Sequence, residues 1–404
     1  MVAHQHADQA KKSGILTIAI CFLIAVIEGI DIQVAGVVAS GIKDNFGLSA
    51  SQLGVFFSAG IIGLLPGSFF GGRYADKVGR KTVLVWSVAI FAIFTLATVW
   101  AQNYTQLLIL RFLAGAGLGA AMPNLIALAT ESVEERFRGR AVCLMYCGMP
   151  LGAVFISYIS TLGAGPTEWK TAFMVGGLLP MLILPIMIKF LPESREFLAM
   201  KEVQQAPAKV SELFSADNRA RTLLLWASYF FTLMVVYIMM NWLPSLFTEL
   251  GFTRKDGSTA QMYFQAGAFI GTIVLGVLVD RIHKGFVVVL MYAGILAGLL
   301  CLNSSSSLMG LFLSCALLGT FTIGGQGVLY ALASIVYPTQ VRGLGVGSAA
   351  AVGRVGAMLG PMIAGQLLAS GAGAAGVISA AVPGIILAAL MMLWVVTRGA
   401  KRLA

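Results

Sequence analysis

Long apolar runs separated by short polar loops dominate the chain, and they predict its architecture. Twelve such runs each approach the roughly 20 residues that a helix needs to cross the hydrocarbon core of a bilayer. Their predicted ranges are 15–39, 51–71, 82–101, 105–130, 139–162, 169–191, 221–247, 260–280, 285–303, 308–334, 341–369 and 376–397. The pattern predicts an all-α polytopic membrane protein with twelve transmembrane helices.

A second pattern divides the chain into two halves. A set of glycines followed by an aspartate, Gly63, Gly67, Gly72 and Asp76, recurs after a shift of 204 residues as Gly267, Gly271, Gly276 and Asp280. The segment 125–130 matches 329–334 at the same shift. Two gapless matches at one offset indicate a duplicated half. We therefore predict two pseudo-symmetric six-helix bundles, residues 1–200 and 221–404, joined by a linker at 201–220.

The composition excludes most other classes of protein. Only 11% of the residues are charged and 58% are apolar, whereas a soluble domain carries about 25% charged residues. The formal charge of +10 comes from lysines and arginines in short loops, so it does not predict a nucleic-acid-binding face. The five cysteines fall within apolar runs and are expected to be buried packing residues. No cluster of ligands predicts a metal or a cofactor.

The distribution of cations predicts the orientation in the membrane. Lysine and arginine concentrate in the two termini and in the loops after even-numbered spans, and the opposite loops hold only Lys43, Lys170, Arg254 and Lys255. Because cytoplasmic loops carry the excess of positive charge, both termini are predicted to be cytoplasmic. The expected location is the cytoplasmic (inner) membrane.

Four charged residues lie inside predicted spans and away from their ends, where each costs at least about 2.5–3.5 kcal/mol on insertion scales. Glu28 and Asp31 are three residues apart and share one face of the first helix. Arg111 lies in the same outer half of the membrane as Asp31, so the two either form a structural ion pair or belong to a transport pathway. Arg354 has no carboxylate well inside a span of its own half. It is expected to bind an anionic substrate with two-pronged geometry, or else to pair with helix-end carbonyls or with Glu28.

Amide and aromatic side chains complete a possible ligand site. We expect Asn124, Tyr237, Asn241, Gln326 and Tyr330 to line a cavity for a small aromatic ligand, although each alone is equally typical of packing. Trp242, two residues before Pro244, is typical of an aromatic belt at the membrane interface.

The loop between the second and third spans carries the most specific motif. Residues 72–81, with the sequence GRYADKVGRK, resemble the signature loop of the major facilitator superfamily, G-x-x-x-D-R-x-G-R-K, except that lysine stands at position 77. The resemblance implies the twelve-helix major facilitator fold and a cytoplasmic gate. Its members here would be Gly72, Asp76, Lys77, Gly79, Arg80, Lys81, Asp280 and Arg281. Residues 192–197, PESREF, either form a helix stop with a surface helix or resemble an element of organic-ion and sugar branches.

Further segments resemble one branch of that superfamily, the aromatic acid:proton symporters. These are Glu28–Asp31 (EGID, with glutamate where the family has aspartate), the run that begins at Arg111 and the element around Arg354. Long runs such as 57–67 are similar to the hydroxyphenylpropionate-type members. The resemblance implies that Glu28 and Asp31 handle a proton and that Arg111 and Arg354 handle the substrate carboxylate or its coupling.

The predicted function is therefore proton-coupled uptake of small aromatic carboxylates (hydroxyphenylpropionate, hydroxycinnamate or hydroxybenzoate type) by alternating access. The expected partners are the aromatic acid, protons and the lipid bilayer, and the protein is expected to act as a monomer and not as an enzyme. The alternatives are an exporter or a sugar or organic-ion porter of the same fold, and a non-transporting membrane sensor.

Overall fold

The computed structural model describes residues 2–134, 137–162, 168–194, 197, 213–215, 218–305, 307–337 and 342–400. Within these ranges, side chains are described from residue 14 onward except at 168, 280, 334, 342, 343 and 398–400. Fourteen α-helices lie within these ranges. They are α1 (Val2–Val37), α2 (Ala39–Phe46), α3 (Ala50–Val78), α4 (Arg80–Ala97), α5 (Tyr104–Glu131), α6 (Arg138–Tyr146), α7 (Gly148–Leu162), α8 (Glu168–Phe190), α9 (Arg219–Glu249), α10 (Arg254–Arg281), α11 (Lys284–Ser304), α12 (Leu308–Val336), α13 (Arg342–Ala369) and α14 (Gly373–Ala400). A short 3-10 turn, Thr98–Trp100, extends α4.

Twelve stretches of these helices are long and apolar enough to span a membrane, and each overlaps one of the predicted spans. The all-α fold class is confirmed. The largest differences are at helix ends: α3 continues to Val78, and the eighth span begins at Arg254. A capping box explains the early start of α10, because the Thr253 side chain accepts from the Asp256 amide while the Asp256 side chain accepts from the Thr253 amide.

The first compact unit contains residues 1–41 and 59–204. Within it α1 packs against α7 and α8, and α4 packs against α5 and α8. A buried apolar core joins α1, α4, α5, α6 and α8 around residues such as Ile24, Phe91, Leu125 and Met145. This unit carries the two first-span acids, Arg111 and the signature loop, defined as residues 72–81.

The second compact unit contains residues 42–58 and 205–404. Its main contacts join α10 to α12, α9 to α13 and α14, and α11 to α12 and α14. The N-terminal part of α3 packs here, since Ser58 donates a 2.6 Å hydrogen bond to the Met358 carbonyl of α13. The bundle boundaries expected from sequence, 1–200 and 221–404, stay a prediction, and most of the expected linker at 201–220 lies outside the described residues.

The packing of each unit repeats at the same 204-residue shift as the sequence. Gly67 of α3 lies against Ala116 of α5, and its counterpart Gly271 of α10 lies against Thr320 of α12, the counterpart of Ala116. Gly152 against Val26 likewise corresponds to Gly356 against Phe230. At each of these glycines a methyl group would collide with a backbone carbonyl, because small residues let membrane helices approach closely. The duplication therefore extends to the backbone contacts.

The cysteines follow the prediction only in part. Cys21, Cys147 and Cys315 are buried, whereas Cys143 and Cys301 are exposed on their spans. The expectation that all five are buried was wrong for the latter two. An apolar run alone does not distinguish a helix face turned toward the protein from one turned away from it, because lipid is as apolar as the protein interior.

Candidate functional site

An ion pair lies inside the first unit, between the two residues that the sequence predicts to lie at a similar depth in the membrane. Asp31 Oδ1 lies 3.4 Å from Arg111 Nη1, and Arg111 Nη2 donates to the Asp31 main-chain carbonyl at 3.3 Å. The Thr95 hydroxyl donates a second hydrogen bond to Asp31 Oδ1. The Arg111 guanidinium also lies 5.6 Å from the centre of the Phe173 ring, within cation–π range. Both charges are therefore balanced inside one bundle.

Glu28 lies one turn from Asp31 in a different environment. Its side chain is 1% exposed, and Oε1 is buried without a hydrogen-bond partner among the described residues. The adjacent Gly29 packs directly against the Met149 backbone of α7. Burying a carboxyl oxygen without a hydrogen-bond partner in a membrane span costs free energy, because the oxygen loses the hydrogen bonds that it would make with water. The two acids are thus chemically distinct although the sequence presents them as a pair.

The second unit brings Arg354 close to two tyrosines. The hydroxyl groups of Tyr237 and Tyr330 lie within electrostatic range of its guanidinium. Tyr330 is 40% exposed, and its ring packs edge-on against Tyr229 at 5.9 Å between centroids. A guanidinium beside phenolic donors is an arrangement that can bind a carboxylate through charge and hydrogen bonds together.

The expected amides are placed less favourably for ligand binding. Asn124 and Asn241 are buried, and each side-chain amide donates to the carbonyl four residues earlier, Ala120 and Tyr237 respectively. This back-bonding occupies one of their donors. Gln326 is half-buried one turn before Tyr330 on α12. Their roles as ligand contacts stay a prediction.

Trp242 does not lie at the surface, so its assignment to an interfacial belt was wrong. It is 1% exposed, donates from Nε1 to the Pro361 carbonyl at 3.0 Å, and meets the Phe57 ring at 5.2 Å between centroids. The buried indole N–H needs a hydrogen-bond partner, and the Pro361 main-chain carbonyl supplies one.

The signature loop is held by acids from the ends of other helices of its unit. Arg80 forms an ion pair with Glu131 at the end of α5. Glu193 Oε1 accepts from the backbone N–H of Lys81 at 2.9 Å, and the Ser194 hydroxyl donates to Glu131. Gly79 has a φ of 100°, and a methyl group there would strike the Glu193 carboxylate.

The other expected gate residues contribute less to this network. Asp76, Lys77 and Arg281 are exposed, Gly72 is half-buried, and the side chain of Asp280 lies outside the described part of the chain. The Lys81 ammonium donates to the Ile188 carbonyl at 2.9 Å. Two residues of the PESREF segment take part in this network. Glu193 caps the start of α4 by accepting from the backbone N–H of Lys81, and Ser194 donates to Glu131, the partner of Arg80.

Sequence reasoning missed several residues that complete these sites. Thr95, Phe173 and Glu131 carry no motif, and only tertiary packing brings them to their partners. Gln261 on α10 is fully buried, and neither its amide nitrogen nor its oxygen has a hydrogen-bond partner among the described residues. Its one available signal was a polar side chain inside an apolar span.

Comparison with protein families gives one match that covers most of the chain. The family described as the Major Facilitator Superfamily matches residues 21–361 and 225–403. The 3-(3-hydroxy-phenyl)propionate transporter of Escherichia coli K12 is 47% identical over 96% of this chain and 95% of its own length. The gallate transporter of Pseudomonas putida is 34% identical, over 89% and 86%. The 4-hydroxybenzoate transporter PcaK of Pseudomonas aeruginosa is also 34% identical, over 88% and 86%.

Solved structures agree on the fold. A D-xylose-proton symporter superposes with a TM-score of 0.77 over 94% of this chain and 97% of its own, at 18% identity. An inward-facing bacterial homologue of the human lysosomal transporter Spinster gives a TM-score of 0.73 over 96% and 98%, at 17% identity. At such identities the likeness establishes the architecture and says nothing of the substrate.

Proposed function

The chain belongs to the major facilitator superfamily, in a branch whose members transport aromatic acids, and its relatives are transporters and not enzymes; from this premise we propose that it takes up small hydroxylated aromatic carboxylates together with protons. The observation that carries this proposal is the intramembrane set of charges: a balanced acid–arginine pair with a second acid in one unit, and an arginine among tyrosines in the other. Alternating access to these groups couples uptake of the acid to the proton gradient, which supplies the driving force.

Arg354 binds the carboxylate of the substrate in this proposal. The guanidinium offers two parallel donors to a carboxylate, and the hydroxyls of Tyr237 and Tyr330 add neutral donors beside it. Aromatic walls suit the ring of the ligand. The relatives named above for hydroxyphenylpropionate, gallate and hydroxybenzoate support a hydroxylated ring with a single carboxylate.

The first-span acids carry the coupled proton. One proton moved with a monoanion is electroneutral, whereas a second proton would add about 2.3 kcal/mol per 100 mV of membrane potential as driving force. The charge of Arg111 is balanced by Asp31 in this conformation, so Arg111 links the acid pair of α1 to α5. Polar contacts to the substrate or helix packing come from Asn124 in the first unit and from Asn241 and Gln326 in the second.

The protein lies in the cytoplasmic membrane with both termini inside. The excess of lysine and arginine in the termini and even-numbered loops supports this orientation, which puts the signature loop at the cytoplasmic end. The gate role of that loop, with Asp76, Arg80 and Lys81 in the first half and Asp280 and Arg281 in the second, belongs to the same proposal. A monomer is sufficient for transport by this mechanism.

The test is uptake by the purified full-length protein in liposomes. We expect 3-(3-hydroxyphenyl)propionate to accumulate when the outside is acidified, with valinomycin and potassium holding the membrane potential at zero. Benzoate, 4-hydroxybenzoate and gallate define the preferred ring and chain length by competition, and xylose is the control for a sugar porter. Accumulation that ignores the pH gradient, or competition by xylose alone, would contradict the proposal.

A further inference from the structure

The two acids of the first helix have unequal partners. Asp31 Oδ1 accepts hydrogen bonds from Thr95 and Arg111, and a second guanidinium nitrogen of Arg111 binds the Asp31 main chain. A positive charge within 3.4 Å compensates an ionised Asp31 although its Oδ2 has no partner. An ionised aspartate is therefore stabilised in this conformation by charge pairing and by hydrogen bonding.

Glu28 has neither form of compensation. Its Oε1 is sealed from solvent and unpartnered, and the apolar core around it includes Ile24 and Ile27 of its own helix. Cys21 and Asp31 are the nearest titratable groups on α1, and Tyr146 and Cys147 lie at the junction of α6 and α7, next to the Met149 that packs against Gly29. The cations described on the helices packed against α1 are Arg111 of α5, Arg138 and Arg140 of α6, and Lys170 and Lys189 of α8. The last four lie within three residues of a helix end, and Arg111 is paired with Asp31.

An ionised carboxylate in a membrane span without a donor or a counter-ion is the most costly of the available states. The negative charge of Asp31 one turn away opposes ionisation of Glu28 further. In contrast, a protonated Glu28 is a neutral group that the site tolerates. Glu28 is also the position at which this chain has glutamate in place of the first aspartate of the motif that it resembles.

We propose that Glu28 is the group that carries the coupled proton, and that Asp31 is a positioning residue that stays ionised and holds Arg111. This rests on the proposed proton coupling and assigns it within the acid pair. The Glu28 carboxyl loses its proton to water when the site is open to one side of the membrane. The carboxylate then takes a proton from water when the site is open to the other side, before the site closes. No other reactant is needed, since one O–H bond breaks and one forms in each cycle.

The test compares Glu28→Gln with Asp31→Asn in the full-length protein in liposomes, with substrate counterflow as the readout that needs no net proton movement. Glutamine imitates neutral Glu28, so we expect counterflow within about twofold of wild type. Accumulation driven by a pH gradient should fall to the level of protein-free liposomes. Asp31→Asn leaves Arg111 without its counter-ion, so it should lose counterflow as well. Gradient-driven accumulation by Glu28→Gln would overturn the assignment.

The conservative variant Glu28→Asp supplies a second measurement if Glu28→Gln is poorly folded. It retains a titratable carboxyl at a different depth, so accumulation should persist while the midpoint of its pH dependence moves. A midpoint identical to wild type would show that Glu28 does not titrate in the cycle. Failure of the wild-type protein to accumulate substrate with a pH gradient would instead contradict the proposed function, and the two failures are therefore distinguishable.

Discussion

The two units share their packing and differ in their chemistry. The glycine contacts of α3 with α5 and of α1 with α7 recur at a shift of 204 residues in α10 with α12 and in α9 with α13. At the same shift the three intramembrane charges of the first unit are not repeated: Glu28, Asp31 and Arg111 correspond to Thr232, Val235 and Cys315. The duplicated scaffold therefore retains its close helix contacts where its functional residues have diverged.

The second unit likewise carries candidate functional residues that the first unit lacks. Arg354 in the second unit corresponds to Pro150, and Tyr237 corresponds to Gln33. Thr232, at the position of Glu28, donates to the Ser228 carbonyl at 2.7 Å and pairs with the Tyr292 hydroxyl at 2.9 Å, so a satisfied hydroxyl cluster replaces the acids. The difference supports a division of labour in which one unit handles the proton and the other handles the substrate.

The largest expected effect is on the buried pair of the first unit. Asp31→Asn leaves Arg111 buried without a counter-ion, so we expect a loss of about 3–5 kcal/mol of stability, while Asp31→Asn with Arg111→Gln should recover much of it. Thermal unfolding in detergent measures both variants. Val235→Ala, at the counterpart of Asp31, is the control and should show only the cost of a small cavity. Equal losses for the single and double variants would mean that the charges are not coupled.

The next effect concerns the second unit. Arg354→Lys keeps the charge and loses the two-pronged donor geometry, so the dissociation constant for the aromatic acid should rise about 10- to 100-fold. Isothermal titration in detergent measures it. The matched control is Arg140→Lys, since Arg140 is exposed, and it should bind normally. Unchanged affinity in Arg354→Lys would mean that Arg354 serves helix packing and does not bind the substrate carboxylate. That result would contradict the proposed division of labour between the two units.

Much of the fold, and part of the site, could be predicted from sequence because both depend on spacing along single helices. The spans followed from apolar length, and the Asp31–Arg111 pair followed from matching depths. In contrast, Thr95 reaches Asp31 and Phe173 reaches Arg111 from other helices, and nothing in the local sequence of either residue marks it as part of the site. Trp242 was misplaced for the same reason, since a belt tryptophan and a buried one have the same neighbours in sequence.

A smaller effect distinguishes the acids near the signature loop, where the second unit again lacks counterparts: Glu131 and Glu193 correspond to Ile335 and Thr397. Glu131→Gln removes the partner of Arg80 in a mostly buried pair, and we expect a loss of about 1–3 kcal/mol. Asp76→Asn alters an exposed side chain and should stay within about 0.5 kcal/mol. Thermal unfolding compares the two. The reverse order would mean that Asp76 rather than Glu131 holds the loop.

The smallest expected effect is at the signature glycine Gly72 and its counterpart Gly276. A methyl group built on either residue meets no atom within 4 Å, whereas one on Gly67 or Gly271 would collide with a carbonyl. Both sit inside helices, where alanine is favoured over glycine by roughly 0.5–1 kcal/mol. Gly72→Ala and Gly276→Ala should therefore unfold at or slightly above the wild-type temperature, while Gly67→Ala and Gly271→Ala unfold well below it. If Gly72→Ala keeps its stability but loses transport and Gly276→Ala keeps both, the motif glycine serves a conformation other than this one. If both stable variants transport normally, Gly72 has no special role in the gate.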